Sequence, residues 1–167
     1  PADMTWFYSG KCEDYSPRQT FIEHSLPAFS RTFLLDKCKT IVSAKVYACG
    51  LGIYELYING QRVGDGLYEP GETDYAKEVM YNTYDVTPLV KSGENGVGAM
   101  LGKAYYMDEG NRKYRKITLN YGELMFKMHL IVRYSDGTAD EVVTDESWVY
   151  NEDGPVVFSS WTGGEDH

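Results

Sequence analysis

Ile53-Tyr54-Glu55-Leu56-Tyr57-Ile58-Asn59-Gly60-Gln61-Arg62-Val63 is the stretch whose reading decides the fold. Tyr54, Leu56 and Ile58 alternate with Ile53, Glu55 and Tyr57, which is the period of a strand with one face buried. Asn59-Gly60 follows at once. This dipeptide suits a type I′ turn, because both central residues of that turn need positive φ, and Gln61-Arg62-Val63 then supplies the return strand. Asn59 is accordingly read as a turn former rather than a ligand contact.

Outward from this hairpin the chain keeps the same character. Residues 29–35 alternate Phe29, Arg31 and Phe33 with Ser30, Thr32 and Leu34, and residues 40–49 are rich in β-branched and small side chains, so both read as strands. Residues 64–76 place Gly64, Gly66, Pro70 and Gly71 among Asp65, Glu69, Glu72 and Asp74, which makes one long loop. A strand resumes over 79–86. Thr87-Pro88-Leu89-Val90 reads as a single helical turn, with a threonine to cap it, proline at the first position and Gly93 to end it. Residues 96–101 form a short buried strand, and 103–116 a loop with the basic side chains Lys103, Arg112, Lys113, Arg115 and Lys116 beside Tyr105 and Tyr106. Residues 124–134 are the longest strand candidate, turned at Ser135-Asp136-Gly137 into 138–143. Residues 148–150 and 156–158 complete the set, split by Asp153-Gly154-Pro155. Residues 1–27 are polar, with Trp6, Phe7, Tyr8, Phe21 and Ile22 as apolar anchors, and read as an arm lying on the sheet. About nine short strands with very little helix define an all-β, antiparallel β-sandwich, with a jelly roll as the expected winding. The domain is expected over residues 28–167.

Composition agrees. The 167 residues are 43% hydrophobic and 14% aromatic, the mark of a folded domain with one core. No apolar run approaches the roughly 20 residues that a membrane helix needs, so no membrane partner is expected. With 25 acidic against 16 basic side chains the net charge is −9, a field that repels phosphate backbones and argues against nucleic acid. A neutral sugar is compatible with it. The 15 tyrosines suit sandwich cores and sugar stacking equally, since each ring has an apolar face and a polar tip. Cys12, Cys38 and Cys49 lack zinc spacing and are expected as small buried hydrophobes. His24, His129 and His167 are scattered, each structural or solvated rather than a metal ligand. No signal-peptide pattern opens the chain, which points to a removed leader or to a piece of a longer protein. A periplasmic or secreted setting is favoured over a cytoplasmic one for an enzyme that meets polysaccharide, although unpaired cysteines suit the cytoplasm.

Several motifs carry a resemblance. They are Asn59-Gly60, Val63-Gly64-Asp65, Pro70-Gly71-Glu72-Thr73-Asp74-Tyr75, Tyr81-Asn82-Thr83-Tyr84-Asp85-Val86-Thr87, Gly93-Glu94-Asn95 with residues 97–102, and Gly164-Glu165-Asp166. Taken in order over about residues 29–167, they make the chain resemble the N-terminal β-domain of bacterial α-L-rhamnosidases. A looser core, Asn-Gly-x-x-Val-Gly with Asp-Val-Thr and Gly-x-Asn, is similar to galactose-binding-like jelly rolls of other glycoside hydrolases, including the β-galactosidase type. A free-standing lectin-like domain is a further alternative.

The resemblance implies a division of labour. In that family the catalytic acids sit in a later helical barrel domain, so this chain is expected to have no hydrolase activity of its own. It would support hydrolysis of terminal α-L-rhamnosyl groups by packing on that downstream domain of the same polypeptide and by recognising the rhamnose-containing glycan. Some rhamnosidase β-modules bind L-rhamnose with calcium. The resemblance therefore implies Tyr68, Tyr75, Tyr105 and Tyr106 as sugar-binding residues and Asp65, Glu69 and Asp74 as a calcium set, with no cofactor required. Ala104-Tyr105-Tyr106 stands where the family commonly has Gly-Trp-Tyr, which weakens a stacking platform there. The competing reading makes Pro70-Gly71 and Thr73-Asp74 turn and capping groups, and Tyr75, Tyr81 and Tyr84 core rings. Independent of any resemblance, no Gly-x-Ser-x-Gly, His-Glu-x-x-His or phosphate loop occurs. Among 25 carboxylates some pair will meet the glycosidase spacing by chance, so abundance carries no argument.

Overall fold

The computed structural model describes residues 7–8, 26–108, 119–151, 154–156, 158–160 and 164–166. Their strands are β1 (Phe7–Tyr8), β2 (Ala28–Leu35), β3 (Ile41–Leu51), β4 (Ile53–Ile58), β5 (Gln61–Arg62), β6 (Asn82–Asp85) and β7 (Gly93–Gly102). There follow β8 (Met107–Asp108), β9 (Leu119–Asn120), β10 (Met125–Tyr134), β11 (Ala139–Val143), β12 (Val149–Asn151), β13 (Phe158–Ser160) and β14 (Gly164–Asp166). Among the described residues there is no helix.

Two antiparallel sheets form the body. The first has the order β1-β10-β3-β6, with β11 also on β10; the second has the order β12-β2-β7-β4-β5. β1 and β11 lie along the same side of β10, because β3 occupies the other side. β8 with β9, and β13 with β14, are separate short pairs. Of the expected arm only Phe7–Tyr8 and residues 26–27 are described, and Phe7–Tyr8 extends the edge of β10.

The alternation expected for residues 53–58 holds. Tyr54, Leu56 and Ile58 are buried, and they face Val46, Ala48, Phe126, Met128 and Leu130 of the opposite sheet. Phe126 sits between the layers, 6.5 Å from Phe29 and 5.6 Å from Tyr54. Trp148 closes one side at 6.1 Å from Phe126 and donates its indole N–H to the Val143 carbonyl at 3.0 Å. A fully buried ring of this kind stabilises the fold by roughly 3–5 kcal/mol against alanine. Arg31 shares the inward side of β2 with Phe29 and Phe33, and its guanidinium reaches out to the Val143 carbonyl and Asp145.

The hairpin at Asn59-Gly60 forms as expected, with φ of 51° and 78°. The Asn59 side chain does more than turn the chain. Its Nδ2 donates to the Leu89 carbonyl and to Asn95 Oδ1, both at 2.8 Å, and its Oδ1 accepts from the Gly96 amide at 2.9 Å. Asn95, 1% exposed, also accepts from the Lys91 amide and donates to the Lys91 and Gly93 carbonyls. Next to this pair, Asp85 accepts from both the amide and the hydroxyl of Thr87, which hold its carboxyl below the usual range. The Thr87 oxygen accepts in turn from the Ala44 amide of β3.

Five expectations are corrected. Thr87 does not cap the turn: Val86 offers its carbonyl to the Leu89 and Val90 amides, and Thr87 ties the turn to β3. Gly93 does not end that turn but opens β7. Among the described residues the longest strand is β3, because its ladder with β10 runs on past Cys49 through the pairs Gly50–Phe126 and Leu51–Met125. The strand expected over 79–86 begins only at Asn82, since Met80 folds its methyl over Gly71. Cys49 is buried as expected, but Cys38 is exposed in the turn after β2; Cys12, His24 and His167 lie outside the described residues.

The Asn59→Asp variant separates turn from network, because Asp-Gly also suits a type I′ turn but an ionised carboxylate cannot donate to Leu89 or Asn95. Chemical denaturation should show a loss of roughly 2–4 kcal/mol, from a Leu89 carbonyl that loses this donor and a carboxylate facing Asn95 Oδ1. An unchanged midpoint would reduce Asn59 to a turn residue.

Candidate functional site

The loop between β5 and β6 is pinned from both sides of the sandwich. The Tyr54 amide donates to the Glu69 carbonyl at 2.8 Å, and Arg62 donates to the Gly66 carbonyl at 2.7 Å. The Tyr84 hydroxyl donates to the Glu69 carboxylate, receives a bond from Asn82 at 3.2 Å, and lies 3.1 Å from the Tyr54 hydroxyl. The Tyr54 hydroxyl also donates to the Ala48 carbonyl. Burial, and then the neighbouring Tyr84, push the Tyr54 phenol far above its ordinary range. These bonds hold Glu69 and the cis Glu69-Pro70 peptide in place and present Tyr68 at a φ of 59°. A non-glycine residue at positive φ costs roughly 1–2 kcal/mol, so the surrounding bonds must hold the loop in this shape.

Leu67 and Tyr68 stand at the tip, 75% and 59% exposed. Further along, Thr73 and Asp74 are local fasteners: Thr73 donates to the Glu78 carbonyl at 2.9 Å, while Asp74 receives the Ala76 amide and pairs with Lys77 at 2.6 Å. Tyr75 then turns inward, edge-on to Tyr106 at 5.0 Å and 5.1 Å from Tyr121. Tyr106 stacks on Tyr121 at 5.8 Å and donates its hydroxyl to the Tyr121 carbonyl. Burial, followed by the Glu72 charge, pushes the Tyr75 phenol up to about 12.

The four sugar-binding candidates thus separate. Tyr68 is exposed at the loop tip, Tyr75 and Tyr105 are half-buried, and Tyr106 is 5% exposed with its ring occupied by Tyr75 and Tyr121. Tyr105 and Tyr106 therefore do not offer two adjacent open faces. Ala104 takes φ of 38°, which gives the physical reason for a glycine at that position in the resembled motif. The calcium set does not converge either. Asp65 is exposed, Glu69 is engaged by Tyr84 and Asp74 by Lys77, and among the described residues no three His, Cys, Asp or Glu side chains are grouped to hold a metal ion. Tyr121 joins the ring cluster without any motif to announce it.

The fold and these loops define a β-sandwich module whose loop phenols and carboxylates engage one another. The family follows from comparison with known proteins. The chain belongs to the α-L-rhamnosidase N-terminal domain family, whose model matches residues 39–167. An α-L-rhamnosidase of Formosa agariphila is 38% identical over 130 residues, covering 76% of this chain and 14% of that protein. The native α-L-rhamnosidase of Aspergillus terreus superposes with a TM-score of 0.81 at 34% identity, over 98% of this chain and 18% of that one. The Streptomyces avermitilis enzyme, solved in complex with L-rhamnose, gives 0.78 at 33% identity over 86% of this chain and 14% of that one. This chain spans about one seventh of the length of the curated relatives it matches.

Alkaline titration tests the ring cluster. Tyrosines ionise near pH 10 in an unfolded chain, whereas Tyr75 stays neutral to about 12 in the fold. Its raised value adds stability that is fully present below about pH 10 and is lost as pH rises toward about 12. Urea midpoints measured across that window should fall less steeply in Tyr75→Phe than in the parent. Parallel curves would show that Tyr75 ionises freely.

Proposed function

We propose that this domain supports hydrolysis of terminal α-L-rhamnosyl groups without supplying the reacting carboxylates. It does so by packing the Leu67–Tyr68 tip on the catalytic part of a longer α-L-rhamnosidase polypeptide. The observation that carries this reading is the tip itself: the large side chains of Leu67 and Tyr68, mostly exposed on a loop whose base is hydrogen-bonded on both sides. Exposed apolar side chains on a braced loop fit a docking contact, because the ordering cost is met before the partner arrives. The short share of its relatives' length that this chain covers supports a partner within the same polypeptide. The substrate, a rhamnose-containing glycan or glycoside, comes from the names of those relatives.

The test uses a full-length rhamnosidase carrying this domain. Tyr68→Asp and Leu67→Asp should each remove about 1.5–3 kcal/mol of buried contact. The expected result is a lower melting temperature and rhamnosidase activity for the whole enzyme, with the melting temperature of the isolated 167-residue chain unchanged in Leu67→Asp. The isolated chain should leave p-nitrophenyl α-L-rhamnopyranoside intact. Unchanged melting and activity in both full-length variants would overturn the docking reading, and turnover by the isolated chain the non-catalytic one.

A further inference from the structure

Asn-Gly is also the dipeptide in which a chain most readily modifies itself, because glycine has no Cβ to shield its amide nitrogen. Of the asparagines in this sequence only Asn59 and Asn95 precede a glycine. The reaction is a cyclisation. The glycine nitrogen attacks the asparagine Cγ and gives up its proton, by way of water, to the departing Nδ2, which leaves as ammonia. Water then opens the cyclic imide at either carbonyl, giving aspartate or isoaspartate. Ring closure needs a side-chain amide free to swing onto the next backbone nitrogen, and a nitrogen free to receive it.

The fold denies both, and it does so by setting the two sites against each other. The Gly96 amide, which is the nucleophile for Asn95, donates to Asn59 Oδ1 at 2.9 Å, and the Gly96 carbonyl accepts from the Asn59 amide at 2.9 Å. The Asn95 side chain is held at both ends. Its Nδ2 donates to the Lys91 and Gly93 carbonyls at 2.7 and 3.0 Å, and its Oδ1 accepts from the Lys91 amide and from Asn59 Nδ2 at 2.9 and 2.8 Å. β7 keeps the Asn95 backbone extended opposite Phe33 of β2, so closing the imide requires a large rotation about the Asn95 Cα–C bond. Asn59 Nδ2 is bound in turn by the Leu89 carbonyl and Asn95 Oδ1. A frame of buried amides does not require a glycine after each of them. Gly60 has a φ of 78°, which calls for glycine, but Gly96 has no positive φ and a Cβ there would meet no atom within 4 Å. The reactive neighbour of Asn95 is therefore not imposed by the backbone.

We propose that Asn59 and Asn95 are two deamidation sites that guard each other: each reacts only when the shared network opens, and modification of one exposes the other. An aspartate at position 59 can no longer donate to Asn95 Oδ1, and its charge faces that oxygen. At position 95, aspartate places a charge against the Lys91 and Gly93 carbonyls, and isoaspartate adds a main-chain carbon that puts β7 out of step with β2. Neither product reverts to asparagine, so the pair sets a chemical lifetime for the folded domain.

The test incubates the 167-residue chain at mildly alkaline pH, native and in concentrated urea, and follows aspartate and isoaspartate at both positions by peptide mapping with mass spectrometry. Both sites should react roughly a hundredfold or more slowly in the native chain, because the reaction must wait for local opening. Asn59→Ala should speed native Asn95 deamidation about tenfold more than Leu130→Ala does, since the latter loses stability in the core away from the network. Adding Gly96→Ala to Asn59→Ala should abolish that fast product. In the parent chain, molecules modified at both positions should exceed the product of the two single fractions, a readout that needs no variant. Equal rates in the native and urea-unfolded chains would overturn the guard. Equal acceleration by Asn59→Ala and Leu130→Ala, or statistically independent products in the parent, would overturn the coupling.

Discussion

The paired amides of Asn59 and Asn95 hold the frame on which the rest of this domain depends. Between them they serve the β4–β5 turn, the 86–92 turn and the start of β7, using every donor proton of both amide groups. Asn95 is almost wholly buried, so each lost partner would strand a group without water to replace it. By contrast, the surface pairs Arg31–Asp145 and Lys39–Asp136 are partly exposed and worth at most about 1 kcal/mol each. The polar part of the fold is therefore fixed from inside, by neutral groups in a low-dielectric setting.

From that frame the loop chemistry follows. Tyr54 and Tyr84 project from the two facing sheets, and their hydroxyls meet beside Glu69. Such a network converts the rigidity of the core into a fixed loop shape, which is what lets Tyr68 hold an unfavourable backbone angle. The same economy accounts for the separation of the loop acids among the described residues. Each of Glu69 and Asp74 already has a local partner, and their arrangement stiffens the loop.

The residues that mark the family are mostly parts of this frame, and here the reach of the sequence becomes plain. Asn59-Gly60 and the 53–58 alternation were legible because turn chemistry and strand period are local properties. The bridge from Asn59 to Asn95 was not, since nothing local tells an asparagine that only turns the chain from one that also spans to a second buried amide. Asp85-Val86-Thr87 and Gly93-Glu94-Asn95 could be recognised as motifs but not explained until their contacts were seen. Site residues were harder still. Tyr75, Tyr105 and Tyr106 look alike in a tyrosine-rich sequence, and only packing shows that Tyr106 is enclosed. Tyr81 opens the Tyr81–Thr87 motif, yet nothing local separates its exposed ring from the half-buried Tyr84, whereas the inward alternation of Ala44, Val46 and Ala48 already implied an outward Tyr47.

The central claim is that Asn59 and Asn95 act as one unit. A double-mutant cycle on the isolated domain, with Asn59→Ala, Asn95→Ala and the pair measured by urea denaturation, tests it directly. The account predicts strong non-additivity, with a coupling of roughly 1–3 kcal/mol between the two sites. Additive losses within about 0.5 kcal/mol would contradict it and make the two asparagines independent turn residues.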